Sequence, residues 1–224
     1  MAVVVVGGHS RNIGKTSAVA SLITRLRHRN WLAMKITQFG HGFCTANGEP
    51  CDCQTDEHTV AFSFERPELP GYDAATDTAR FLSAGAVKSL WVRTRIGNLA
   101  PAMPRIRKEI ASAENVIIES NSIMGFFKPD LYLSVLDHGT ADFKESARLF
   151  LDRADALLLR QDSQRLEPHW RGVSQKLVEG ISQFLIQGPE YMTEEVAAFV
   201  ETRLISLVQS KPGTALPSST HRAV

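Results

Sequence analysis

The sequence predicts a doubly wound α/β fold, a mostly parallel sheet covered by helices on both faces. Three observations predict it. A β-branched run at residues 3–6 ends in Gly7-Gly8; Gly14-Lys15-Thr16 opens an amphipathic stretch; and short apolar runs then alternate with helical patterns along the chain. Strands buried on both faces read as continuous apolar runs, and helices between them supply the crossovers that parallel strands require.

From Thr16, apolar residues recur at Val19, Leu22, Ile23 and Leu26, with Arg25 between them and Arg27 and Arg29 just after, which predicts a helix after the first strand. Residues 31–37 predict the second strand. Residues 38–72 are rich in Gly, Pro, Cys and charge and read as an irregular insertion, with alternation over 59–64 that fits a short strand or hairpin. A helix is expected over 77–86, ending at Gly85, then a strand over 87–92, a helix over 106–113 and a short buried strand over 116–118. Strands over 131–136 and 156–159 flank a helix through 143–151, and residues 184–186 fit an edge strand. Thr193 is a good N-cap, with Glu194 and Glu195 in the first turn, for a helix to about residue 208. The domain is expected to span residues 1–209, with 210–224 as a disordered tail.

The length of 224 residues suits one α/β domain able to fold without disulfide or metal staples. Its 25 basic and 24 acidic residues nearly balance, which argues against a broad nucleic-acid or acidic-membrane surface. The apolar start MAVVVV is too short for a signal peptide, and no stretch approaches a membrane span, so a soluble cytoplasmic protein is expected.

The strongest chemistry lies in VVVVGGHSRNIGKTS. A glycine-rich turn between strand and helix points backbone N–H groups at phosphate oxygens, and the helix N-terminus adds its positive dipole end. Lys15 would neutralise β- and γ-phosphate charge, and the Thr16 hydroxyl would ligate Mg²⁺. The candidate phosphate-contacting residues are therefore Gly8, His9, Ser10, Arg11, Asn12, Ile13, Gly14, Lys15, Thr16 and Ser17. Five residues separate Gly8 from Gly14, one more than the usual G-x4-G-K-[ST] spacing, and His9 stands at the strict first position. The expected fold is that of the P-loop-containing nucleoside triphosphate hydrolases.

The long loop resembles those of dethiobiotin synthetases and cobyrinic acid amidating enzymes. Together with MKITQFGHG after the second strand and DTARFLSAGA at 77–86, it is similar to the molybdopterin-guanine dinucleotide biosynthesis protein B family. The strand 116–119, ending in an acid, matches the same family, although Ser120-Asn121 follow Glu119 where that family carries glycine. The resemblance implies triphosphate binding with slow hydrolysis in support of molybdopterin-type cofactor biosynthesis, a homodimer, and a protein partner from that pathway.

A Mg²⁺–triphosphate site needs carboxylates near strand ends. Glu119, directly after a buried strand, could bind Mg²⁺ or position an attacking water, as the resemblance to dethiobiotin synthetases implies. Asp77 is a second metal or water ligand, or an ordinary helix-start residue. Lys35, ending the second strand, could meet substrate or γ-phosphate, or be a strand-end surface charge. Asp137 is a further strand-end acid. The catalytic set read from the sequence is Lys15, Glu119 and Asp77, the Mg²⁺ set Thr16, Asp77 and Glu119. The base is left open between ATP and GTP, because Arg160, Gln161 and Ser163 replace the residues that read guanine in Asn-Lys-x-Asp, and Asp162 fits only after a one-residue shift.

All three cysteines lie between positions 44 and 53. Cys44, Cys51, Cys53 and His58, with His41 as an alternative, could hold Zn²⁺ tetrahedrally, or the cysteines could be ordinary cytosolic thiols. Two further functions stay open: an ATP-dependent ligase or kinase resembling dethiobiotin synthetase, and a nucleotide-switched metallochaperone carrying metal on this loop.

Overall fold

The computed structural model describes residues 1–39, 60–70, 72–160, 168, 170–189 and 191–210. Cys44, Cys51, Cys53, His58 and His41 lie outside the described residues, as do Gln161, Asp162 and Ser163. The elements run β1 (Ala2–Gly8), α1 (Lys15–Arg25), β2 (Trp31–Phe39), β3 (Val60–Phe64), α2 (Asp77–Ser83), β4 (Lys88–Arg95), α3 (Met103–Ala111), β5 (Asn115–Glu119), β6 (Leu131–Asp137), α4 (Glu145–Arg148), β7 (Ala156–Arg160), β8 (Ser182–Ile186) and α5 (Glu194–Ser210).

The strands form one sheet in the order β3-β4-β2-β5-β1-β6-β7-β8. Every pairing is parallel except β3 against β4. β1 is central, between β5 and β6, and all seven of its residues are buried. Its pleat explains the unbroken valine run: Val4 and Val6 pack into one apolar layer with α1, Phe81 of α2 and Val196, Val200 and Leu204 of α5. Val3 and Val5 point to the other layer, with Met103, Ile106 and Ile110 of α3. Burying each such side chain stabilises the fold by about 1.5–3 kcal/mol, so a polar residue at either parity would break a layer.

Four local differences from the sequence reading have physical causes. Strand β4 begins at Lys88, because Val87 is exposed and its N–H donates to Trp31 O before the ladder starts. Helix α3 starts at Met103, three residues before Ile106, with Pro104 in the first turn, where the missing N–H forfeits no intrahelical bond. The helix expected through 143–151 shrinks to α4, followed by a 3-10 turn at Leu151–Arg153. Lys144 is extended there, and its N–H is bound to His9 O at 2.8 Å, which pins the segment to the loop after β1 instead of winding it. β2 continues to Phe39, with Thr37 to Phe39 paired to Arg93 to Arg95 of β4. Within the insertion, the alternating segment forms β3, a sheet edge. Thr193 caps α5 through Oγ1, which accepts from Val196 N at 3.3 Å.

Candidate functional site

Parallel strands all present their C-terminal ends to one side, and the crevice there is where such sheets collect functional groups. Residues 8–17 lie at the end of β1, Lys35 on β2, Glu119 at the end of β5, and Asp77 at the first position of α2. These segments, distant in sequence, meet in one place.

The loop from Gly8 to Gly14 absorbs its extra residue by lengthening the strand. Gly8 pairs with Val135, and His9 N–H then donates to Val135 O at 3.2 Å, so β1 holds β6 for one more residue. The His9 ring turns inward and is fully buried against Phe143 and Trp170, with ring centroids 5.0 and 6.1 Å away, and Nε2 lies 3.1 Å from Thr140 O. Burial lowers its pKa below the usual histidine value, so the ring stays neutral. Gly8 is clamped by a side chain that mimics a strand: Asn121 Oδ1 accepts from Gly8 N at 2.8 Å, and Asn121 Nδ2 donates to Gly8 O at 2.9 Å. Gly7 makes the approach possible, since a Cβ there would stand 2.3 Å from Asn121 Oδ1 and 2.6 Å from the Tyr132 hydroxyl. Gly8 and His9 thus spend their backbone groups on holding the loop.

Beyond them the chain turns twice through left-handed backbone, at Asn12 (φ 55°) and Gly14 (φ 92°), while Ile13 is buried as an anchor. At Gly14 a Cβ would strike the Tyr191 ring at 2.4 Å, so glycine is required by both conformation and space. Among the described residues, the backbone N–H groups of Ile13, Gly14, Lys15 and Thr16 donate to no protein acceptor. They open α1, where the helix dipole favours an anion.

Cationic side chains surround this turn. Lys15 Nζ donates to Ser10 O across the loop, and Ser10 Oγ donates to Asp142 Oδ2 at 3.1 Å. Burial, and then the neighbouring charge of Lys144, lower the Lys15 pKa to about 8. Lys144 itself is lowered, by burial first and then by Arg11. Crowded, partly desolvated cations of this kind are relieved by an anion. Arg160, at the end of β7, donates from Nη1 to Asn12 O at 3.2 Å.

The acids sit beside the loop on its β5 and α2 side. Thr16 Oγ1 donates to Glu119 Oε2 at 2.8 Å. Lys35 Nζ lies 3.1 Å from Glu119 Oε1 and 3.4 Å from Thr16 Oγ1, and it also donates to Asp77 Oδ2. Burial opposes the Lys35 charge, but Glu119 and Asp77 outweigh it and raise its pKa. Arg80, one turn along α2 from Asp77, donates to Ser17 Oγ at 3.0 Å. Three oxygen-bearing side chains, Thr16, Asp77 and Glu119, therefore converge on a single positive charge, the donor chemistry a Mg²⁺ ion needs. Among the described residues no group of three or more His, Cys, Asp or Glu is gathered for a metal, and no helix is long and apolar enough to cross a membrane.

Asp137 stands apart. Its Oδ1 accepts from Gly139 N at 2.7 Å and its Oδ2 from Thr140 Oγ1 at 3.3 Å, so it closes the turn after β6. The sequence reading missed Asn121, Lys144 and Arg80. Asn121, two residues past a strand-end acid, could have been suspected from its position; nothing local in the sequence marks the other two.

No family model and no curated protein matches the sequence. Among solved structures, the chain is similar to HypB from Helicobacter pylori in complex with nickel, at a TM-score of 0.51 and 13% sequence identity, over 94% of this chain and 90% of that one. At that identity the likeness speaks for the fold alone. With one mostly parallel sheet, a central β1 and a glycine-bearing loop leading into α1, the chain has the α/β fold of the P-loop-containing nucleoside triphosphate hydrolases.

Proposed function

We propose that this chain binds a nucleoside triphosphate with Mg²⁺ at the loop after β1 and hydrolyses it slowly. The observation that carries the reading is the set of unspent N–H donors from Ile13 to Thr16 at the start of α1, ringed by Lys15, Lys144 and Arg11. Such donors and charges are costly to hold together unless an anion meets them. Lys15 and the loop amides take the phosphate oxygens, and Thr16, Asp77 and Glu119 hold the cation. When bound, Mg²⁺ draws charge from the phosphates. Glu119, nearly buried and fixed by Thr16, orients the water that attacks.

Support of molybdopterin-type cofactor biosynthesis, with a homodimer and a pathway partner, is the finer reading that the resemblance of the loop, residues 34–42 and residues 77–86 favours. The test is a released-phosphate assay with ATP and with GTP. Turnover on neither would reduce the proposal to binding.

A second reading is favoured by one observation: the H. pylori protein of like fold is in complex with nickel. Here Cys44, Cys51, Cys53 and His58 would carry Zn²⁺ or another soft-ligand metal, released according to nucleotide state. Metal content that differs between the diphosphate-loaded and triphosphate-loaded protein supports it, and metal-free protein of full activity excludes it.

A further inference from the structure

We infer that Lys35 is a built-in cation that occupies the divalent-metal position between Thr16, Asp77 and Glu119, so that a divalent ion is held there only once a triphosphate draws the ammonium away. The inference rests on the proposed function for the identity of the anion, but its first half concerns this chain alone.

The geometry sets up the competition. Lys35 and Glu119 are direct register partners on adjacent parallel strands, and Thr16 stands in the first turn of α1, second after Lys15. The Lys35 ammonium reaches Glu119 Oε1 at 3.1 Å and Thr16 Oγ1 at 3.4 Å, and bonds Asp77 Oδ2 as well. These are the three side chains in the site whose oxygens suit a hard cation. Glu119 has its other oxygen engaged by Thr16 at 2.8 Å, so each of its oxygens already carries a hydrogen bond. Asp77 is contacted on its remaining oxygen by Arg80, at 3.7 Å. A divalent ion arriving alone would have to displace the ammonium or lie against it, with Lys15 and Lys144 also nearby. Repulsion between such charges in a partly buried site is strong. A triphosphate changes this balance, because its oxygens offer the displaced ammonium a new partner and give the metal the ligands it shares between protein and phosphate.

The device makes cation binding conditional on nucleotide. A free metal is kept out, and each ligand tightens the other, since coupling between two ligands is reciprocal. It also sets Lys35 apart from Lys15: Lys15 belongs to the loop and its anion, Lys35 to the acids and their cation.

Mn²⁺ serves as the probe, followed by electron paramagnetic resonance on the full chain without nucleotide. The parent should show no saturable Mn²⁺ site at sub-millimolar concentration, whereas Lys35→Met should gain one and bind at least about tenfold more tightly, as removal of one adjacent unit charge implies. Lys35→Arg, which keeps the charge, should behave like the parent. Adding Glu119→Gln to Lys35→Met should abolish the gained site and so locate it. Equal Mn²⁺ affinity in the parent and in folded Lys35→Met overturns the inference, and so does a gain in Lys35→Met that survives Glu119→Gln. If Lys35→Met fails to fold, Lys35→Gln is read by the same criteria. Should Lys35→Met gain Mn²⁺ while neither protein binds any triphosphate, the internal-cation role stands and the nucleotide reading falls.

Discussion

Lys15 shows how a single residue trades stability for binding. Its pKa of about 8 means that the fold, without a ligand, resists keeping this ammonium charged. A lowered lysine pKa works against stability while the group is protonated: below pH 8 the whole cost is present, and it fades as pH rises from about 8 towards the ordinary lysine value, where the unfolded chain binds more protons than the folded one. We therefore expect Lys15→Met to raise the thermal midpoint at pH 7 in the absence of nucleotide, by about 1–3 kcal/mol of stability. A midpoint lower than the parent's would contradict that. The same substitution should weaken triphosphate binding at least about tenfold, the value of one charge-assisted phosphate contact. In the parent, affinity should hold below pH 8 and decline above it as Lys15 loses its proton, which calorimetry across pH 7 to 9.5 checks. Glu119 acts differently. Its carboxylate meets Thr16 and Lys35 rather than the loop amides, so Glu119→Gln should slow phosphate release by about 10²-fold or more while affinity changes far less. Equal turnover would leave Glu119 a structural acid.

The loop between β1 and α1 is the element on which the site depends, and only part of it was legible in the sequence. Gly14-Lys15-Thr16 between a strand run and a helical pattern announced it, because glycine, charge and periodicity are local signals. The spacing from Gly8 to Gly14 reads as one residue longer than usual, with Gly8 and His9 counted among the phosphate contacts. In the structure the extra residue extends the β1–β6 pairing through His9, and a pairing partner 126 positions away leaves no local trace. The Asn121 clamp on Gly8 is as long-range, and only the place of Asn121 two residues past a strand-end acid hints at it. Asn121→Ala should leave the buried Gly8 amide and carbonyl short of partners, costing about 1–3 kcal/mol of stability, and should weaken nucleotide binding by loosening the loop. Unchanged stability would show that water replaces the clamp. Glu119 was legible at a strand end and Asp77 at a helix start, yet their closure on Lys35 needed the sheet order β4-β2-β5-β1, which a sequence does not print. For the cysteine-bearing insertion the expectation is about one zinc per purified chain, lost in Cys51→Ser, with the far-ultraviolet dichroism of the sheet nearly intact after chelation. Metal-free protein in elemental analysis would leave Cys44, Cys51 and Cys53 as ordinary thiols.

At the scale of the whole molecule, the fold was legible because its signals are redundant. Apolar runs buried on both faces, helices between them and a glycine loop after the first strand all demand one parallel sheet, and errors of a few residues at Val87 or Met103 leave that topology untouched. Function is less redundant, since the same sheet can serve many chemistries and only the groups at its C-terminal edge choose between them. Those groups fall into two camps. Unspent amides and crowded cations lie over β1, and carboxylates lie over β2 and β5 with Lys35 in their midst. Together they ask for a ligand that is anionic on one side and brings a cation on the other. The most direct measurement is a calorimetric titration of ATP, GTP and their diphosphates with Mg²⁺ into the parent and into Lys15→Ala. Saturable one-to-one binding of at least one triphosphate by the parent is expected, with a loss of at least about tenfold in folded Lys15→Ala. No heat of binding from any of the four nucleotides, or equal affinity in the two proteins, would contradict the proposed triphosphate site.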